Sequence, residues 1–303
     1  MRILLQFPEG LKKEAKKFVD KYEKEGHEVF IASAPCYGAC DLAIDEARWV
    51  KADKLVHIGH AQFVKKKLPI EVEYIEYFID VQLEQFKAAL PVLEQYKKIA
   101  LATTVQHVHQ FKEMKKLFED AGKDVFSGTG FWAIREGQVL GCDSIGLKKV
   151  EKDVDAIVFV GDGMFHALAI ETEKPTFVIH PQTGKIRQIN DDINKLAKKR
   201  KGSVLVAVHS KTFGILVSTK VGQFYLKSAQ WAKTEIEKRG KTAMILVANE
   251  LEPLPINNFL IFDCYINTAC PRMVDDTDEF GKPMLSLEML REVLNTWDAL
   301  EKK

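Results

Sequence analysis

Residues 2–33 read RILLQFPEGLKKEAKKFVDKYEKEGHEVFIAS, and this stretch decides the fold. It opens with an apolar run of strand length, RILLQF. After a Pro-Glu-Gly turn, LKKEAKKFVDKYEKEG spaces its apolar residues three and four apart, as an amphipathic helix does. Gly26 stands where a glycine ends such a helix in the left-handed conformation. HEVFIAS is a second strand. DLAIDEARWVKA then reads as a helix and KLVHIGHA as a third strand. A βαβαβ order makes the strands parallel and covers both faces of the sheet with helices.

The same order recurs. KKIALATTVQ is a strand, HVHQFKEMKKLFEDAG a helix ending in glycine, and KDVFSGT and DAIVFVGDG are strands, the last followed by FHALAIETEK. A third round has the strand FGILVST, the helix in QFYLKSAQWAKTEIEKRG, and the strands TAMILVAN and NFLIFDCYIN. The leading strands start near Ile3, Ile99 and Gly214, so each round runs to roughly 100 residues, the size of a small domain. The expected fold is α/β: three homologous modules, each a parallel sheet flanked by helices, at residues 1–90, 91–190 and 191–303. The other division is one large Rossmann-like domain plus a smaller one. KKKLPIEV and the short strand VEYIEYF lie within module one. NDDINKLAKKRKGS is a charged helix joining modules two and three, and SLEMLREVLNTWDALEKK is a closing amphipathic helix.

Composition narrows the function. With 44 Lys and Arg against 43 Asp and Glu the formal net charge is +1, so no global field recruits nucleic acid. No apolar run reaches the length needed to span a bilayer, and the start lacks a signal-peptide pattern. A cytoplasmic protein is expected. The five cysteines are scattered and odd in number, which argues against a disulfide framework.

Cys36 and Cys40 lie in APCYGACDLA, the loop after the second strand. Cys142 lies in GQVLGCDS, loop-like and after the corresponding strand of round two. Cys264 sits inside an apolar run, and Cys270 follows that run in NTACPRM. Every round therefore places a cysteine in a loop beyond a strand, where open parallel sheets bind ligands. If the modules pack about a pseudo-threefold axis, three such loops converge on a central site. Three thiolates suit an iron–sulfur cluster with one open iron, or zinc with one open position; the plain alternative is that the cysteines are small core residues. The sequence has no CxxxCxxC, no CxxC ribbon and no Walker A loop, and GDGMF is only a fragment of a dinucleotide fingerprint.

YGACD, GQVLGC and ACPR, one per module and in that order, resemble the archaeal form of the diphthamide-synthesis enzyme family. FPEGL, HIGHA, TTVQHVHQ, GDGMFH and VSTKVGQ fit as well, so the resemblance spans nearly the whole chain. It implies three homologous α/β modules, a homodimer, and a [4Fe–4S] cluster held by Cys40, Cys142 and Cys270. Cys36 is off the family's ligand position and is expected to pack nearby, with a substitute or fourth-ligand role as the other reading. Cys264 is expected in the core.

The implied activity is transfer of the 3-amino-3-carboxypropyl group of S-adenosylmethionine to C2 of a histidine imidazole on elongation factor 2, the first step of diphthamide biosynthesis. Reductive cleavage of the Cγ–S bond gives 5′-methylthioadenosine and a 3-amino-3-carboxypropyl radical, and an electron donor is needed. Arg272 is a candidate for the methionyl carboxylate. Gly161, Gly163 and His166 are candidates for close approach to the cofactor. So are Gln106 and His107 at a strand-to-helix switch, and Thr219, Lys220 and Gly222 in the equivalent turn of module three. For each the alternative is an ordinary structural turn. His57 and His60 are read as structural. The basic runs Lys65–Lys67 and Lys198–Lys201 read as solvated faces, or as docking points for a protein substrate. No membrane and no direct nucleic-acid contact are expected. The competing readings are a quinolinate synthase-like triplicated enzyme, a non-catalytic electron-relay or scaffold subunit, and a zinc hydrolase built on the same thiols.

Overall fold

The computed structural model describes residues 1–301. By its internal contacts the chain divides into two compact units, Met1–Ile193 and Asn194 onward.

The first unit carries two sheets. β1 (Arg2–Gln6), β2 (Glu28–Ile31), β3 (Lys54–Ile58) and β4 (Glu71–Ile75) lie in the order β2-β1-β3-β4, all parallel. β5 (Lys98–Thr103), β6 (Asp124–Phe126), β7 (Ala156–Val160), β8 (Thr176–Ile179) and β9 (Ile186–Gln188) lie in the order β6-β5-β7-β8-β9, with only β9 antiparallel. The second unit has β10 (Thr212–Ser218), β11 (Thr242–Ala248), β12 (Cys264–Asn267) and β13 (Met284–Leu285), parallel in the order β11-β10-β12-β13. Each sheet thus repeats one order: second strand, first, third, fourth. Helices α1 (Ala15–Lys24), α2 (Ile44–Trp49), α3 (Phe111–Asp120), α4 (Ile145–Val150), α5 (Asn190–His209) and α6 (Leu226–Glu237) link and cover them.

The cores follow from the strand period of two. Ile99 and Leu101 of β5 pack with Phe111, Met114 and Phe118 of α3. Their neighbours Ala100 and Ala102 pack on the other face with Phe159 and with Leu147 of α4. In the second unit Phe213, Ile215 and Val217 meet Ala229, Ala232 and Ile236 of α6, whereas Leu216 packs with Tyr265 and Phe280. Sheets covered on both faces need strands that are apolar throughout, and β7 is buried at every residue. Gly26 takes φ +82° and its N–H reaches the Glu23 carbonyl at 2.9 Å, so it stops α1 as its position suggested.

Three elements differ from the reading of the sequence. In NFLIFDCYIN only Cys264–Asn267 is a strand. Ladder pairing begins at Phe213 opposite Cys264, and Thr212, the first residue of β10, instead holds the preceding turn: its carbonyl accepts the Asp263 N–H at 2.9 Å and its hydroxyl donates to the Ile261 carbonyl at 2.6 Å. Phe259, Leu260 and Ile261 are left exposed. α5 continues to His209, past the expected end near Ser203. α6 starts at Leu226, after a turn through residues 221–223. The last helix spans Leu287–Glu301; positions 302 and 303 of that stretch lie outside the described residues. Among the described residues no helix is long and apolar enough to cross a membrane.

A polar seam runs through the first sheet. Gln6, at the buried end of β1, donates from Nε2 to the Asp41 carbonyl at 2.8 Å. Its Oε1 accepts the Ala43 N–H at 3.2 Å. These two bonds fix which end of the amide is oxygen. The same Oε1 lies 3.0 Å from His57 Nδ1, so Nδ1 carries the proton and Nε2 is a bare lone pair. His57 Nε2 in turn accepts from His60 Nδ1 at 3.0 Å. Burial lowers the pKa of His57 to about 3, with His60 adding to it, and lowers that of His60 to about 4, with His166 adding to it.

Two outcomes are expected. A methyl group at Gly137 (φ +72°) would collide with the Phe111 ring, whereas Gly163 (φ +75°) faces open space. Gly137→Ala should therefore cost about 2–4 kcal/mol and Gly163→Ala about 1–2 kcal/mol, read as urea midpoints. Secondly, a histidine held neutral in the folded state loses stability as pH falls below its unfolded pKa. The loss is about 1.4 kcal/mol per pH unit per ring and continues down to the folded pKa. The urea midpoint should fall from pH 6.5 toward pH 4, and more shallowly in His57→Gln; equal slopes for the two proteins would refute this account.

Candidate functional site

All parallel strands of one sheet end on one edge, and the candidate residues of the first unit gather there. The loop after β2 carries Cys36, which is buried, and Cys40, which is half-buried. Asp41 pins this loop: its carboxylate accepts the Tyr37 N–H at 3.2 Å and its carbonyl takes the Gln6 amide. Cys40 lies beside Tyr74 of β4, whose hydroxyl is pushed up in pKa by burial first and by the charge of Cys40 in addition. The Tyr74 ring meets His57 edge-on, with centroids 5.6 Å apart.

Cys142 is exposed at the tip of a tight turn in which Leu140 and Asp143 exchange backbone hydrogen bonds of 2.9 and 3.2 Å. The residues before it extend the second sheet, since Thr103 N–H donates to the Gly137 carbonyl and Val139 N–H to the Thr103 carbonyl. Asp143 is buried and its carboxylate accepts the N–H groups of Trp132, Ala133 and Ile145 at 2.5, 3.0 and 3.1 Å. A side chain at Gly141 would collide with the Phe165 ring, so the GDGMFH turn lies directly against the Cys142 turn. His166, at the end of that turn, is near enough to His60 to lower its basicity. Gln106 donates to the Gly59 carbonyl at 3.4 Å. His107 is buried, donates from Nδ1 to the Ile79 carbonyl at 3.0 Å, and has its pKa lowered chiefly by burial. Among the opposing influences on His107 is Asp162 of the GDGMFH turn. Cys40, His60, Gln106, His107, Cys142, Gly161, Gly163 and His166 thus belong to one connected neighbourhood.

The second unit holds Cys270, half-buried at the start of the 3-10 turn Pro271–Asp275. Burial is the largest influence on its thiol and raises the pKa. The backbone N–H groups of Arg272 and Met273 and the Arg272 guanidinium pull the other way. Asn267 fastens the loop, accepting the Ala269 N–H at 2.9 Å and donating to the Cys270 carbonyl at 2.7 Å. Arg272 is buried and pairs with Asp275 at 2.8 Å. Asp275 also takes a two-point contact from Arg200 at 2.9 and 3.2 Å. Lys220 is likewise buried and pairs with Glu250 at 2.7 Å. Thr219 N–H donates to the Ala248 carbonyl, and Gly222 lies in the turn that follows. Cys264 is fully buried in the core, where desolvation pushes its thiol pKa up strongly.

Of the basic runs, Lys65 sets its ammonium over the Phe131 and Trp132 rings at 5.4 and 5.1 Å, and Lys199 and Arg200 are tied to Asp278 and Asp275. The reading of the sequence overlooked Gln6, Tyr74, Asp41 and Asp143. For the last two a signal was present: an aspartate directly follows the cysteine in both Cys40-Asp41 and Cys142-Asp143.

A family model for diphthamide synthesis proteins matches residues 7–301. The 2-(3-amino-3-carboxypropyl)histidine synthase of Pyrococcus horikoshii is 36% identical over 293 residues, covering 94% of this chain and 83% of its own length. Subunit 1 of the Caenorhabditis elegans synthase is 29% identical over 291 residues, 93% of this chain and 73% of its own. The crystal structure of Dph2 from Pyrococcus horikoshii with a 4Fe-4S cluster aligns with a TM-score of 0.86 at 34% identity, covering 97% of this chain and 86% of that one. The chain belongs to the diphthamide synthesis protein family, whose members named here are transferases.

Proposed function

We propose that this chain is a 2-(3-amino-3-carboxypropyl)histidine synthase that moves the 3-amino-3-carboxypropyl group of S-adenosylmethionine to a histidine of elongation factor 2, the first step of diphthamide biosynthesis. The carrying observation is the near-full-length match to the Pyrococcus synthase together with the fold it shares with the cluster-bearing Dph2. Membership of this family sets the quinolinate synthase-like reading aside.

In this reading Cys40, Cys142 and Cys270 hold a [4Fe–4S] cluster. The residues fit such a group. None of the three thiols is in a disulfide, and each sits in a loop beyond a strand. Each loop is fastened by a neighbouring Asp or Asn, and backbone N–H groups favour the thiolate of Cys270. Bound there, such a cluster would supply the one-electron reduction of the sulfonium.

The protein's own work is positional. A sulfonium has three C–S bonds, and holding the Cγ–S bond at the reducing centre selects the 3-amino-3-carboxypropyl group over the other two. Gln106, His107, Gly161, Gly163 and His166 in the first unit, and Thr219, Lys220, Gly222 and Arg272 in the second, are proposed to line the cofactor's place. His107 brings only Nε2, because Nδ1 is spent on the Ile79 carbonyl. Lys220 and Arg272 are cations already balanced by Glu250 and Asp275, so a methionyl carboxylate would share them. The three modules of the sequence reading, a homodimer and an outside electron donor complete the proposal.

Two experiments test it. Anaerobic iron and sulfide analysis should find most of the iron lost in Cys40→Ala, Cys142→Ala and Cys270→Ala and retained in Cys36→Ala and Cys264→Ala. The purified chain alone, with dithionite, S-adenosylmethionine and elongation factor 2, should release 5′-methylthioadenosine and add mass to the factor. Modification that requires a second protein would instead support the electron-relay or scaffold reading.

A further inference from the structure

We propose that Cys36, His57 and His60 form a second metal site, separate from the three-thiol set, which takes a zinc-like divalent ion. One donor atom from each residue lies within 4.8 Å of the other two. Cys36 and His57 are buried and His60 is half-buried. One thiolate with two imidazoles is a donor set for divalent ions of borderline softness, and it leaves a fourth position for water.

The surroundings orient these donors. Gln6 is locked with its oxygen toward His57, so His57 Nδ1 is the protonated nitrogen and Nε2 presents its lone pair to His60. A ligating histidine whose other N–H is held by an acceptor is the usual arrangement at metal centres. Gly59 separates the two histidines and takes φ +99°, packed so closely on Pro8 and Leu11 that a side chain there would press on both. That turn bends the chain at the end of β3 and brings both rings to one point. Cys36 arrives from the loop after β2, with its Sγ 3.8 Å from the Asp41 carbonyl.

The ion takes the place now held by the proton between the rings. His57 binds through Nε2. His60 binds through Nδ1, its proton moving to Nε2. Cys36 gives up its thiol proton to solvent, so one proton is released per ion. The ion ties the Cys40 loop to the end of β3, and its donors are not those proposed for iron.

The test is zinc titration of the wild-type protein after anaerobic iron and sulfide reconstitution, followed by zinc-edge X-ray absorption. The expected result is one zinc per chain with one sulfur and two nitrogen neighbours. His60→Gln, at the half-buried position, should weaken zinc binding at least tenfold and keep the iron content of wild type. Cys36→Ser should remove the sulfur neighbour. An all-sulfur or sulfur-free zinc environment, or unchanged zinc affinity in His60→Gln, overturns the proposal. Because iron content is read in the same samples, failure of the cluster assignment would be seen separately.

Discussion

Parallel pairing of the two central strands in each sheet is the constraint on which the rest depends. The last registered pairs of the central strands are Gln6 opposite His57, Thr103 opposite Val160, and Leu216 opposite Asn267. Strands that run together also end together, so every following loop leaves from the same edge of its sheet. This explains an asymmetry among the cysteines. Cys40 and Cys142 follow the second strand of their rounds, whereas Cys270 follows the third. In a parallel sheet that difference moves a loop sideways by a strand spacing or two but keeps it on the same edge.

Leaving the ladder has a cost, because loop N–H and C=O groups lose their strand partners. The three cysteine loops meet that cost in one way. Asp41 accepts a backbone N–H of its own loop, Asp143 accepts three from residues around it, and Asn267 bonds two groups flanking Cys270. Each bond contributes about 1 kcal/mol net, which is enough to favour one loop conformation over its competitors. A short polar side chain near each cysteine therefore fastens the loop that carries it.

Much of this was legible in the sequence. Strands buried on both faces have to be apolar runs, and helices covering them have to be amphipathic, so RILLQF, KKIALATTVQ and FGILVST stood out with their helices. The cap at Gly26 was legible because a glycine after an amphipathic run has few other uses. Less legible were features set by partners far along the chain. The turn that precedes β12 is held by Thr212, the first residue of β10. The pairing of Arg272 with Asp275, itself shared with Arg200 of α5, turns a candidate ligand-binding cation into a balanced one. The roles of His57 and His60 depend on Gln6, some fifty residues earlier, whose amide orientation is in turn fixed by Asp41 and Ala43. The boundary between the two compact units falls inside α5, the charged stretch that the sequence marked as a joining helix.

The groups beside Cys40 and Cys270 differ in kind. Behind Cys40 stands a wall of uncharged groups: Tyr74, and the His57–His60 pair that burial keeps neutral. Around Cys270 burial and the Asp276 charge raise the thiol's pKa, while two backbone N–H groups and the Arg272 guanidinium oppose them. Hydrogen bonds and positive charge at a ligand sulfur raise the potential of the metal it holds, while desolvation opposes the charge. At Cys270 it is therefore Arg272, through its backbone N–H and its charge, that chiefly offsets the cost of burying the thiol.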